Sequence, residues 1–176
     1  MKRILDAIES CLKSENYYGA LYVSLSLIDA CAKIEYPSKK NRYTLWLNDH
    51  YLPLFEEDCS KPMLPSSAIY QLRCSILHES SNIINKNDLH KDKDGLHKII
   101  LTTTPSHRNK ATVSNGIETI TEIQLNVILF IKEIIKSITT WMTKKSPKET
   151  KLNFTIETEK WSSSTVGGAT AFCNIS

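Results

Sequence analysis

From Glu118 to Trp141 the chain runs without a glycine or a proline, and Ile120, Ile123, Val127, Phe130, Ile131, Ile134, Ile138 and Trp141 recur at helical spacing. An apolar stripe kept up for so long has to be covered, so the chain must fold by packing helices together. Gly and Pro number only 5 and 6, and long runs free of both extend that expectation to the rest of the sequence.

Four earlier segments carry helical spacing. Segment 2–14 sets Ile4, Leu5, Ile8 and Leu12 on one face of an amphipathic helix. Segment 17–35 is more apolar and interleaves small residues such as Gly19, Ala20, Ser24 and Ala30, which predicts a buried helix in close contact with a neighbour. Asp29 interrupts that run, and a buried carboxylate needs a partner. A third helix is expected over 40–56, where Pro53 forces a kink or an early end. A fourth is expected over 66–84, capped by Ser66 or Ser67.

Strand signals are few. LHKIILTTT, 96–104, is rich in Ile and Thr, and 111–113 is expected to pair back on it as a short hairpin. In the tail, LNFTIETE alternates apolar and polar residues, and Gly167-Gly168 precedes a second strand-like stretch, ATAFCNI. The sum predicts an all-α, antiparallel bundle of about five helices with a small β-hairpin insertion at about 96–113. Residues 1–143 form that domain. Residues 144–176 form a linker and a β-prone C-terminal tail, either a β-hairpin or a mobile segment.

Composition narrows the partners only a little. A net charge of +3 neither demands nor opposes nucleic acid. The N-terminal segment lacks the apolar core of a signal peptide, and Ile123 to Ile131 is too short to span a bilayer, so a soluble, cytoplasmic protein with no membrane partner is expected. Cys11, Cys31, Cys59, Cys74 and Cys173 are odd in number and scattered, which fits small reduced thiols better than a disulfide framework or a metal site. No phosphate-binding glycine loop, nucleophile elbow or metal-ligand signature is present, so no cofactor or metal is expected.

Chemistry gathers in SSAIYQLRCSILHES, where Arg73 and His78 stand five positions apart in an apolar helical run. Arg presents a permanently charged planar fork suited to phosphate, and His moves protons near neutral pH. Metal-free RNA cleavage needs a base for the ribose 2′-OH, a cation for the crowded phosphate, and an acid for the leaving 5′-oxygen. On an ideal helix the two side chains are rotated by about 140°, so a reach by Arg73 into a shared groove is required. The plain alternative is a surface Arg beside a His satisfied by a local hydrogen bond.

Three neighbours are candidates for support. Cys74 is the helical neighbour of His78. Glu79 either orients a catalytic group or is a solvated charge. Asp29 either pairs Arg73 from the adjacent helix or takes a local cap or water. His90, His97 and His107, with Lys86, Lys91, Lys93, Lys98, Arg108 and Lys110, make a basic cluster that reads as a solvated loop or as an RNA-backbone contact. Trp46, Tyr17, Tyr18, Tyr22 and Trp141 read as core or interface residues.

The text IYQLRCSILHESS, an R-x4-H motif at the end of a helix, resembles the R-x4-6-H motif of the HEPN superfamily (higher eukaryotes and prokaryotes nucleotide-binding). The likeness, to bacterial members of unassigned role, covers about residues 1–143. It implies a HEPN-like bundle, a homodimer with the motif at its interface, and a metal-independent endoribonuclease with Arg73 and His78 as catalytic pair. It further implies RNA and a protein antitoxin as partners, in toxin–antitoxin, phage-defence or RNA-processing systems. Two positions depart from the family. Cys74 stands where active members often carry Asn, Asp or His, and Ser80 where one toxin subfamily carries a modified Tyr. The alternative implied is a non-catalytic module of the same kind that binds nucleotide, RNA or a protein partner.

Overall fold

The computed structural model describes residues 1–55, 64–79, 96–114, 119–146, 148–150, 161–166 and 169–174. At 78–79, 96–97, 113–114, 119–120 and in the last two segments the backbone alone is described. Five α-helices occur among these residues: α1 (Lys2–Lys13), α2 (Tyr17–Glu35), α3 (Arg42–Trp46), α4 (Ser66–Cys74) and α5 (Val127–Thr143). A π turn, Leu47–Tyr51, and a 3-10 turn, Leu52–Leu54, extend α3, and Pro53 sits where this tightening occurs. A second π turn, Ser75–Glu79, extends α4.

Helix α2 is the central element, packing against α1, α3, α4 and α5. It is buried on several sides through Ala20, Leu21, Leu25, Leu27, Ile28, Cys31 and Ala32, as its largely apolar text requires. Each fully buried Leu or Ile contributes roughly 1.5–3 kcal/mol relative to exposure. The Asn16 side chain accepts a hydrogen bond from the Gly19 amide at 2.9 Å and caps α2. A Cβ on Gly19 would come within 2.8 Å of that cap. Trp46 and Trp141 meet edge to face at 6.2 Å and join α3 to α5. The Trp141 indole N–H donates to Glu35 at 2.8 Å, which satisfies the one polar atom of a buried ring. No described helix is long and apolar enough to cross a membrane.

The all-α expectation is overturned. Strands β1 (Leu96–Thr102), β2 (Asn109–Ser114) and β3 (Thr119–Asn126) form a mixed sheet in the order β1-β3-β2, so the fold is a mixture of helix and sheet. β2 does not pair back on β1. It runs antiparallel to β3, and β1 runs parallel to β3. The long helix expected from Glu118 starts only at Val127, and its first third is β3. The physical reason is local. In TITEIQLN, Thr121, Ile123 and Leu125 are buried while Glu122 and Gln124 alternate toward solvent, a period of two rather than 3.6. Central in the sheet, β3 has its backbone groups paired on both edges, which outweighs a helical reading of Ile120, Ile123 and Val127.

The inner face of the sheet, through Ile99, Ile123 and Leu125, completes the core above α5. Lys98 and Glu122, partners in register, form an ion pair at 3.4 Å. Asn126 ends the strand and caps α5, accepting from the Leu129 amide at 2.9 Å. Ser66 and Ser67 do not cap α4: the cap position is Pro65, with no side-chain bond, and Ser66 is the first helical residue. The tail carries a two-stranded antiparallel sheet, β4 (Trp161–Val166) with β5 (Ala169–Asn174), flanking Gly167-Gly168. The LNFTIETE segment and residues 80–84 of the expected fourth helix lie outside the described residues.

Candidate functional site

Arg73 stands on the last turn of α4 and meets Asp29 of α2. Its Nε and Nη2 both donate to Oδ2 of Asp29, at 2.9 and 2.5 Å, and Nη1 lies 3.9 Å from the Cys74 sulfur. The alternative of a local cap or water for Asp29 gives way to this pair. α2 supplies the carboxylate because Asp29 is the acidic interruption of an otherwise apolar helix, and α4 packs beside it. The pair is partly open to solvent, with side-chain exposures of 21% for Arg73 and 31% for Asp29.

Two tyrosines complete the surroundings. Tyr43 is buried under the pair, its hydroxyl donating to the Leu25 carbonyl at 3.4 Å. Tyr70 is exposed, and its ring lies 5.5 Å from that of Tyr43, tilted by 57°. The sequence reading passed over both. Tyr70 was accessible from spacing alone, because it precedes Arg73 by three and Cys74 by four on one helix.

Electrostatics at the site follow from these contacts. Burial works against the charge on Arg73, and the Asp29 carboxylate, with help from Cys74, more than offsets it and holds the guanidinium pKa above its ordinary value. Cys74, by its charge and a hydrogen bond, pushes the Tyr70 phenol up. Burial pushes the Tyr43 phenol well up, and Asp29 adds to it.

His78 and Glu79 lie on the π turn that continues α4, and their side chains fall outside those described. A π turn closes i→i+5 bonds, so each residue advances less around the axis than in an α-helix. The rotation of about 140° between positions 73 and 78 is thereby narrowed. Arg73, Asp29 and Cys74 are thus brought together, and the backbone of His78 and Glu79 follows on the next turn.

The basic cluster divides. His90, Lys86, Lys91 and Lys93 and the side chain of His97 are outside the described residues. Lys98 pairs with Glu122. His107 and Arg108 are buried, not solvated, and both contact Glu133 of α5. Trp46 and Trp141 are buried as expected, Tyr17 and Tyr22 pack partly on the core, and Tyr18 is exposed. Among the described residues no three or more His, Cys, Asp or Glu side chains are grouped to hold a metal ion. Cys11, Cys31 and Cys74 are free thiols, and burial pushes that of Cys31 up. Comparison of the chain with protein-family models, with curated proteins and with solved structures gives no match.

Proposed function

We propose that the chain is a HEPN-type, metal-independent endoribonuclease that works as a homodimer, with Arg73 and His78 as its catalytic pair. The observation that carries this reading is the fixing of the Arg73 guanidinium by Asp29 at the point where α4 widens into the turn bearing His78. π turns inside helices occur frequently at functional sites. A guanidinium held in one orientation stabilises a developing phosphate charge without reorganising.

One His cannot remove the 2′-OH proton and protonate the 5′-oxygen at the same moment. Two copies about a two-fold axis supply two His and two Arg along one cleft. In this scheme His78 of one protomer is the base and its symmetry mate the acid. Arg73 stabilises the pentacoordinate phosphate, and the products are a 2′,3′-cyclic phosphate and a 5′-hydroxyl. RNA is the substrate and a protein antitoxin a fitting partner, both in the cytoplasm, in a toxin–antitoxin or phage-defence setting. Cys74 and Glu79 have supporting roles.

A second reading has its own observation. Asp29 neutralises Arg73 at ion-pair distance, which weakens the cation a transition state would meet. That favours a non-catalytic module that binds nucleotide, RNA or a protein partner. Incubation of the protein with a mixed RNA pool in EDTA, beside His78→Ala, separates the two. Cleavage to cyclic-phosphate ends that is lost in the variant supports the ribonuclease. Binding without turnover by a folded dimer overturns it in favour of the module.

A further inference from the structure

Helix α5 carries Leu129, Lys132, Glu133 and Lys136 along one stripe, because residues three and four apart share a face. Phe55 from the end of the 3-10 turn, and His107 and Arg108 from the segment entering β2, close around that stripe. Together these seven side chains line an open-mouthed cleft of about 300 Å³. It shares no residue with the Arg73 cluster.

The wall of the cleft is built and buried. Glu133 accepts from the Tyr51 hydroxyl at 2.7 Å, from His107 Nε2 at 3.2 Å, and from Arg108. His107 and Arg108 are 6% and 3% exposed. Burial alone would raise the Glu133 pKa, and the hydrogen bonds from His107, Arg108 and Tyr51 outweigh it and hold the carboxyl below its ordinary range. Arg108 takes a left-handed backbone, φ 59°, rare for a side-chain-bearing residue, to reach this place.

The charge balance is lopsided. Arg108, Lys132 and Lys136 face one carboxylate, and that carboxylate is already engaged by three donors. Arg108 and Lys136 both lie against the Phe55 ring, 5.6 and 5.3 Å from its centroid. An aromatic face gathers cations without neutralising them. Lys132 and Lys136 make no ion pair among the described residues. A concave cleft of one sign focuses its field on whatever enters. His107 lines the same cleft with its Nε2 engaged by Glu133, so the ring belongs to the built wall.

We propose that this cleft is a binding site for a phosphate monoester, its dianion held by Lys132 and Lys136, with Leu129 offering apolar surface to the esterified group. The proposal is independent of the Arg73 and His78 reading. Phosphate suits the site better than a carboxylate because its double charge and its several acceptor oxygens match two separate ammonium groups.

Isothermal titration calorimetry with inorganic phosphate, adenosine monophosphate and adenosine tests it, on the full chain and on Lys132→Gln/Lys136→Gln. Both lysines are exposed, so the double variant keeps the fold, which circular dichroism checks. The expected result is binding of both phosphates but not of adenosine, weakened about tenfold or more in the double variant. Inorganic phosphate binding as well as the nucleotide means the phosphate group alone is recognised; the nucleotide binding more tightly means the ester group adds contacts. Binding that persists in Arg73→Ala and is weakened when the lysine pair is also replaced belongs to this cleft and not to the proposed catalytic site. No binding at millimolar concentration, or equal affinity in the double variant, overturns the proposal.

Discussion

Arg73 directs two N–H groups, Nε and Nη2, at a single oxygen of Asp29, Oδ2, at 2.9 and 2.5 Å, and this joins α4 to the central helix α2. A charge-assisted pair of this kind contributes about 1.5–3 kcal/mol when shielded. Side-chain exposures of 21% and 31% place it nearer the solvent-screened end. Asp29→Ala is therefore expected to destabilise the protein by about 1–2 kcal/mol in urea unfolding. Arg73→Ala, alone and in the Asp29→Ala background, completes a double-mutant cycle that returns the coupling of the two side chains. Additive losses would mean that the two side chains do not stabilise one another.

The chemical role of the same pair predicts a different ranking. Lys keeps the charge of Arg73 but cannot present a planar fork. On the ribonuclease reading, Arg73→Lys loses about 10²-fold or more in cleavage rate, comparable to removing one donor from an oxyanion site. Asp29→Asn, which keeps the shape at that position and releases the guanidinium, changes the rate less. The measurement is single-turnover cleavage of a defined RNA in EDTA by folded dimers. An Arg73→Lys rate equal to the parent's would remove Arg73 from the chemistry.

How much of this was legible in the sequence depends on which period a segment kept. α1, α2 and the second half of the Glu118–Trp141 run carried a clean helical period, and the structure has them within a residue or two. The first part of that run did not. Ile120, Ile123 and Val127 satisfy a helix, Thr121, Ile123 and Leu125 satisfy a strand, and the strand forms because β1 and β2 arrive on either side to pair it. Only four residues separate β2 from β3, with Asn115-Gly116 as a turn signal in the text between them, whereas β1 lies further off in sequence and no local pattern announces its pairing. At the site, Asp29 and Arg73 were legible because a carboxylate in an apolar helix demands a cation. The Glu133 cluster was not. His107 and Arg108 sit among Thr, Ser, Asn and Lys, which reads as solvent-exposed turn, and only the return of β3 into α5 buries them.

His50 sets a pH dependence. It lies on the first π turn, with its ring 5.4 Å from that of Trp46 and 6.5 Å from that of Trp141, and its Nε2 is buried with no partner among the described residues. Burial lowers its pKa from the ordinary 6.5, against the pull of Glu35 and Asp49. The unfolded chain therefore takes up the proton first as pH falls below about 6.5, and stability declines from there through the folded pKa. Glu35 and Glu133, both held below the ordinary 4.5, lose their contributions only at more acidic pH. Melting temperatures recorded between about pH 7 and pH 5 should fall in the parent and fall less in His50→Phe. Parallel curves for the two proteins would assign the loss to other groups.

Asn126 holds the junction where the sheet becomes a helix. It is the last residue of β3, pairs in register with Thr102 of β1, and its Oδ1 accepts from the Leu129 amide at 2.9 Å. Its Nδ2 donates to the Thr104 carbonyl, which ties the exit of β1 to the start of α5. One side chain thus caps the helix that carries Glu133 and anchors the segment that leads to His107 and Arg108. Loss of an N-cap alone costs about 0.5–2 kcal/mol. Thr104 is exposed, so in Asn126→Ala water takes up its carbonyl and the lost bond adds little to the lost cap. The expected loss is about 1–2 kcal/mol by chemical denaturation, and Asn126→Ser, which restores the cap but not the donor to Thr104, recovers most of it. If Ser recovers nothing, the bond to Thr104 rather than the cap is what holds the strand and helix in line.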